Sequence, residues 1–190
     1  MLSLSPLVVF RVQSPAARGR LHLLIRIVLL LALGSLGWSS IYWLLYLTIP
    51  ALVALIIITN GAQRFIAESA PGIVRLLRWL AGAYAYLWML TDVPPGQGSP
   101  DHLTLAIVPS GEPTAVSAIL RIIYSIPAAI LLMLLSFAAG WVWVIGAVAI
   151  LFAGQLPEFA NNFIALTLRY QFRLLAYHCS LVDRYPSFEG

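Results

Sequence analysis

Hydrophobic residues along this chain are gathered into two long blocks rather than spread at a single helical or strand spacing. Val28–Gln63 and Ile122–Pro157 each hold about 36 residues with no Asp, Glu, Lys or Arg. A helical crossing of the bilayer core needs roughly 20 apolar residues, so a block of this length predicts two short spans joined by a tight turn. Gly34, Gly37, Ser39 and Ser40 mark the first turn, and Ile41–Thr59 forms the second leg. Gly140 marks the second turn, between legs at Ala118–Phe137 and Trp141–Ala153. Outside the blocks the pattern changes. Leu7–Val12 and His102–Val108 are short β-branched runs that predict strands, and Ser14-Pro15 has the form of a helix start. Ala62–Asp92, and the stretch from Pro157 to near Asp183, mix apolar residues with Arg, Tyr and Trp. They predict amphipathic helices at the membrane interface, with Trp79–Thr91 either lying on the membrane or dipping into it.

The two halves echo each other. At an offset of 91, Ile73, Leu77, Arg78, Ala85, Tyr86, Leu90, Asp92 and Pro95 recur as Ile164, Leu168, Arg169, Ala176, Tyr177, Leu181, Asp183 and Pro186. This spacing predicts a tandem repeat, with units at residues 1–95 and 96–190, each a strand, a membrane hairpin and a surface helix. The expected fold class is an all-α polytopic membrane protein. It has four transmembrane helices as two hairpins, two interfacial amphipathic helices and a small two-stranded cytoplasmic sheet. Each hairpin returns the chain to its starting side, so the repeats are parallel and related by an axis along the membrane normal. All charges fall on one side, which positive-inside logic places in the cytoplasm together with both termini. A multi-pass protein of the bacterial inner membrane is expected.

Composition supports lipid as the main solvent. The chain is 61% hydrophobic and 9% charged, with mean hydropathy +0.92, whereas a soluble domain carries about a quarter charged residues. The 11 basic residues are all Arg. They flank apolar segments, where they meet anionic headgroups, and no basic stripe with interleaved aromatics suggests nucleic acid. The single cysteine, Cys179, excludes an intrachain disulfide. Met1–Phe10 is apolar without a preceding basic region, so the first span is expected to act as an uncleaved insertion signal.

Candidate chemistry is sparse. Arg78 and Arg169 occupy equivalent positions, and guanidinium groups bind phosphate or carboxylate bidentately. Together with Arg75, Trp79, Tyr170 and Arg173 they form the candidate lipid or partner contacts, set against ordinary snorkelling of helix arginines. Asp92 and Asp183 close the surface helices, where acid opposes the helix dipole, so a local role is expected, as a turn before Pro or a salt bridge with a nearby Arg, in preference to proton or ion ligation. His178-Cys179, His22 and His102 lack metal-ligand or nucleophile–base spacing, and no nucleotide loop or hydrolase elbow is present. No catalytic residue, metal or cofactor is assigned. Trp38, Trp43, Trp141 and Trp143 are expected to form an aromatic belt near the hairpin turns.

Several of these residues also carry a family resemblance. Leu120-Arg121 through Ser125-Ile126-Pro127, Ala149-Ile150-Leu151-Phe152-Ala153-Gly154-Gln155-Leu156-Pro157 and Asp183-Arg184-Tyr185-Pro186-Ser187-Phe188 resemble the bacterial DUF4389 membrane-protein family. Leu77-Arg78-Trp79, Ala85-Tyr86, Leu90-Thr91-Asp92 and Pro94-Pro95 are similar to the end of its pattern. The first hairpin lacks the Ile-Pro element, and Gly154-Gln155-Leu156-Pro157 replaces a Gly-Arg-Tyr-Pro form. The resemblance implies membrane residence and brings no activity. Dry hairpins without a catalytic constellation lead to an expected role as a non-catalytic accessory or scaffold subunit of an inner-membrane complex, with lipids and integral membrane proteins as partners. The alternative is a lipid-binding or small-solute transport protein acting as a homo-oligomer.

Overall fold

The computed structural model describes residues 8–35, 38–97 and 103–186, the side chains of 38–45 excepted. Residues 1–7, Gly37 of the expected first turn, the side chains of Trp38 and Trp43, Gly98, His102 and Ser187–Phe188 lie outside the described set. The elements are β1 (Val8–Val12), α1 (Arg20–Ser35), α2 (Trp38–Asn60), α3 (Ala70–Leu87), β2 (Leu103–Ile107), α4 (Ala115–Tyr124), α5 (Ile126–Ala153) and α6 (Glu158–His178). A short helical turn at Ala62–Arg64 and a wide turn at Phe65–Ser69 lead into α3.

The two strands pair antiparallel, with Phe10 opposite Leu105 and Val8 opposite Ile107. Their inward residues Val8, Phe10, Leu105 and Ile107 are buried under α3 and α6. The Phe10 ring stacks on Phe172 at 5.5 Å, and Tyr84 of α3 meets the same Phe172 edge-on at 6.1 Å.

Four transmembrane helices as two hairpins are not found. Among the described residues only α5, 28 residues long, is by itself long and apolar enough to cross a membrane. It runs unbroken through Gly140, the position of the expected second turn. One glycine inside a helix costs about 1 kcal/mol relative to Ala, too little to break a run rich in Leu, Ile and Ala. The break falls earlier, at Ser125, because Pro127 cannot supply the N–H that would continue α4. Trp141 and Trp143 consequently sit inside α5 and not at a turn; Trp143 donates its indole N–H to Leu87 O at 2.9 Å. In the first half, α1 has 16 residues, and the described part of α2 forms with the helix running to Leu87 a pair bent by 119°. The expected return of each hairpin to its starting side therefore has no structural support. Nor does α6 lie on a surface. Ile164, Leu168, Phe172 and Ala176 are fully buried, making it the central helix of the fold.

Two arginines repeat one construction. Arg26 of α1 donates Nε to Tyr86 O at 2.7 Å and Nη2 to Thr91 O at 2.6 Å and Asp92 Oδ1 at 2.7 Å. Its guanidinium lies 4.7 Å from the Tyr86 ring centre. Arg121 of α4 donates Nη1 to Tyr177 O at 2.8 Å and Val182 O at 2.6 Å. It also pairs with Asp183 and lies 4.6 Å over the Tyr177 ring. Each arginine thus closes the C-terminal turn of a helix, where carbonyls are left without partners and positive charge is favoured. The same turn follows both helices: Met89 and Ser180 adopt φ of 63° and 53°, and Leu90 and Leu181 donate their N–H to Ala85 O and Ala176 O. Asp92 and Asp183 so find the arginine partners their positions require.

The clamps differ in burial. Arg26 is fully buried and Asp92 20% exposed, whereas Asp183 is 48% exposed. Arg26→Gln should lower stability by about 3 kcal/mol, the scale of a broken buried pair. Asp183→Asn should cost about 1 kcal/mol or less, as for an exposed pair. Unfolding of the detergent-solubilised protein followed by tryptophan fluorescence measures both; equal losses would contradict this ranking.

Candidate functional site

The first half holds a space that the second half fills. α5 and α6 pack face to face, with Ala128 and Leu132 against Tyr170 and Leu174. α2 and α3, the corresponding helices of the first half, diverge at the 119° bend. Between them lies an apolar cavity of about 320 Å³. Ile49, Val53 and Ile56 form one wall from α2; Ile73, Leu77, Leu80 and Tyr84 form the other from α3; Leu174, Leu175 and His178 of α6 form the floor. Each wall repeats at three- and four-residue steps, which place side chains on one helix face. Leu52 and Leu76 also line the cavity and are more than half exposed, so it opens sideways between α2 and α3 and is not sealed in the core.

A tightly built polar cluster backs this cavity, which Tyr46 and His178 of the cluster line. Tyr46 Oη lies 2.7 Å from Ser125 Oγ, and Ser125 Oγ lies 2.6 Å from His178 Nε2. The Tyr46 ring meets the His178 ring edge-on at 4.5 Å. All three residues are buried. Ser125 is the residue at which α4 hands over to α5, so the break before Pro127 brings its hydroxyl to this point. Two helical turns away on α6, buried Gln171 also faces the cavity beside Tyr84; their side chains are hydrogen-bonded, and burial pushes the Tyr84 hydroxyl pKa up.

Burial and the nearby Arg121 charge lower the His178 pKa to about 4, so the imidazole is neutral at pH 7. Burial pushes the adjacent Cys179 thiol up to about 12, which removes the thiolate that nucleophilic or redox chemistry needs. Among the described residues no three His, Cys, Asp or Glu side chains are grouped to hold a metal. The arrangement suits an apolar molecule with a small uncharged polar group, since a buried hydrogen-bonding cluster rewards a partner that matches it and penalises one that leaves it unpaired.

The residues selected from sequence are not gathered at this cleft. Arg78 is committed to the sheet, donating Nε to Leu105 O at 3.0 Å. Arg75 and Trp79 are exposed on α3, and Tyr170 is buried against α5. Arg169 borders a separate polar pocket beside β1, and Arg173 is half-buried near it. The sequence reading did not bring Tyr46, Ser125 and His178 together, because segments far apart in the chain supply them.

His178 gives a test by titration. Its folded pKa of about 4 lies below the ordinary histidine value of 6.5, so the unfolded chain binds the extra proton first. The stability of the neutral-histidine state is complete above about pH 6.5 and is lost as pH falls toward about 4. His178→Gln should flatten that part of the stability–pH profile in thermal unfolding of the solubilised protein; an unchanged slope would show that His178 does not stay neutral.

No curated protein and no solved structure matches the chain. Residues 116–189, which run from α4 through the second arginine clamp, match the family model DUF4389, a domain of unknown function.

Proposed function

We propose that this is a membrane-resident protein that binds one lipid-like molecule in the cleft between α2 and α3. The observation that carries this reading is the sideways-opening apolar cavity with Tyr46 and His178, bridged by buried Ser125 behind them, in its wall. α5 provides the membrane crossing; it exposes Leu134, Phe137, Val148, Leu151 and Phe152 along one face, as a helix facing hydrocarbon does. The bend between α2 and α3 turns its open side to the same surroundings, so an apolar chain enters from the bilayer without crossing water. The mechanism is binding by shape and burial in an apolar space, with Tyr46, His178 and Gln171 the polar residues on its lining.

A second reading, an accessory subunit of a larger inner-membrane assembly, is favoured by α1. Only Leu23 and Arg26 of that helix are buried, while Leu21, Leu24, Ile25 and Val28 to Leu31 are at least partly exposed. Such a face packs against lipid or against another span.

Leu76→Trp should obstruct the cleft mouth from an exposed position and lower co-purifying lipid about fivefold or more. Leu134→Trp, on the outer face of α5, should leave it unchanged. Native mass analysis of protein extracted in mild detergent measures both. Equal lipid retention by the two variants would remove the cleft from the account, and a stoichiometric protein partner with no retained lipid would favour the accessory-subunit reading.

A further inference from the structure

The polar pocket beside Arg169 is separate from the cleft and independent of the reading above. It has a volume of about 580 Å³ and is lined by Arg11, Val12, Gln13, Thr104 and Arg169. Arg11 and Thr104 face each other across the sheet, and Arg169 comes from α6. No carboxylate forms a salt bridge with Arg11 or Arg169 among the described residues. Arg173, one helical turn from Arg169, and Arg184 add positive charge, and the repulsion among Arg169, Arg173 and Arg184 contributes to a lowered Arg173 pKa, second to burial.

The repeated geometry supplies an internal control. The strands correspond at an offset of 95, as 8–12 and 103–107, and the helix ends at 91. The counterpart of Arg169 is Arg78, which binds a strand carbonyl. The counterparts of Arg11, Gln13 and Thr104 are Ala106, Val108 and Val9, and those of Arg173 and Arg184 are Gly82 and Val93. Support of the sheet therefore requires one arginine and nothing else. The three further hydrogen-bond donors, Arg11, Gln13 and Thr104, and the added charge of Arg173 and Arg184 occur on one side only.

We propose that Arg11, Gln13, Thr104 and Arg169, ringed by Arg173 and Arg184, form a binding site for a phosphate group, carried by a lipid headgroup or by a soluble phosphate. Guanidinium groups pair with phosphate oxygens bidentately, and the Thr hydroxyl and Gln amide complete the donor set. A doubly charged oxyanion also relieves the like-charge repulsion.

The test uses the full chain in neutral-lipid nanodiscs, with phosphatidic acid or inorganic phosphate as separate probes, and compares wild type with Arg11→Gln/Arg169→Gln. Wild type is expected to bind one probe, and the double variant to bind it about tenfold or more weakly, the scale of losing charge-assisted hydrogen bonds. Phosphatidic acid binding that millimolar phosphate leaves intact assigns a lipid source; binding of inorganic phosphate itself assigns a soluble one. Arg64→Gln/Arg75→Gln, which removes two arginines of the first half, should bind like wild type. Retention of wild-type affinity by the Arg11/Arg169 variant, an equal loss in the Arg64/Arg75 variant, or binding of neither probe by wild type overturns the proposal. Thr104→Val, which keeps the charge and β-branched shape, should still weaken binding severalfold, and this arm stands if the double variant does not fold.

Discussion

Two buried arginines set the geometry on which the rest depends. A helix end inside an apolar protein leaves carbonyls that neither water nor the helix can satisfy. Arg26 and Arg121 each reach from another helix to two such carbonyls and an aspartate, and lie over a tyrosine ring. A guanidinium suits this because it presents several donors in a fixed plane. Removing the charge would strand the acceptors. Each clamp ties the first helix of one half to the closing turn of its last helix, and the antiparallel strand pair ties the halves together.

Upon this shared frame the halves diverge. In the second, α5 and α6 close upon each other through Ala128, Leu132, Tyr170 and Leu174. In the first, the chain turns by 119° after Asn60 and leaves a cleft. The spacing from clamp arginine to aspartate records this difference, 66 residues in the first half and 62 in the second. The additional length falls between the elements that must match, where the wide turn at Phe65–Ser69 redirects the chain. The two similar clamps thus hold the ends while the middle of the first half opens a cleft.

Much of the frame was legible in the sequence. The β-branched runs became the strands, and of the two local roles open to the aspartates before each final proline, the structure shows the arginine pair. The helix repeat at offset 91 was visible, but the equivalence of Arg26 and Arg121 was hidden because it follows the strand offset of 95. The hairpins misled for a physical reason. A charge-free block records the absence of ionised groups, and a single long helix with a short neighbour satisfies that as well as two spans do. Gly140 looked like a turn, yet a turn needs more than a residue that tolerates one. Pro127, which does forbid a helical hydrogen bond, was the stronger mark. The cleft was not legible at all, since its polar cluster is assembled by tertiary packing from Tyr46, Ser125 and His178.

The central claim is that the open side of the first half holds a lipid-like molecule while the matching side of the second is filled by protein. Photo-crosslinking with a diazirine-bearing fatty acyl lipid in membranes, followed by peptide mapping, addresses it most directly. The account predicts adducts concentrated on cleft residues such as Ile49, Val53, Ile73 and Leu80, reduced by competing unlabelled lipid. Adducts confined to the outer face of α5, at positions such as Leu134 and Val148, and insensitive to competition would contradict it.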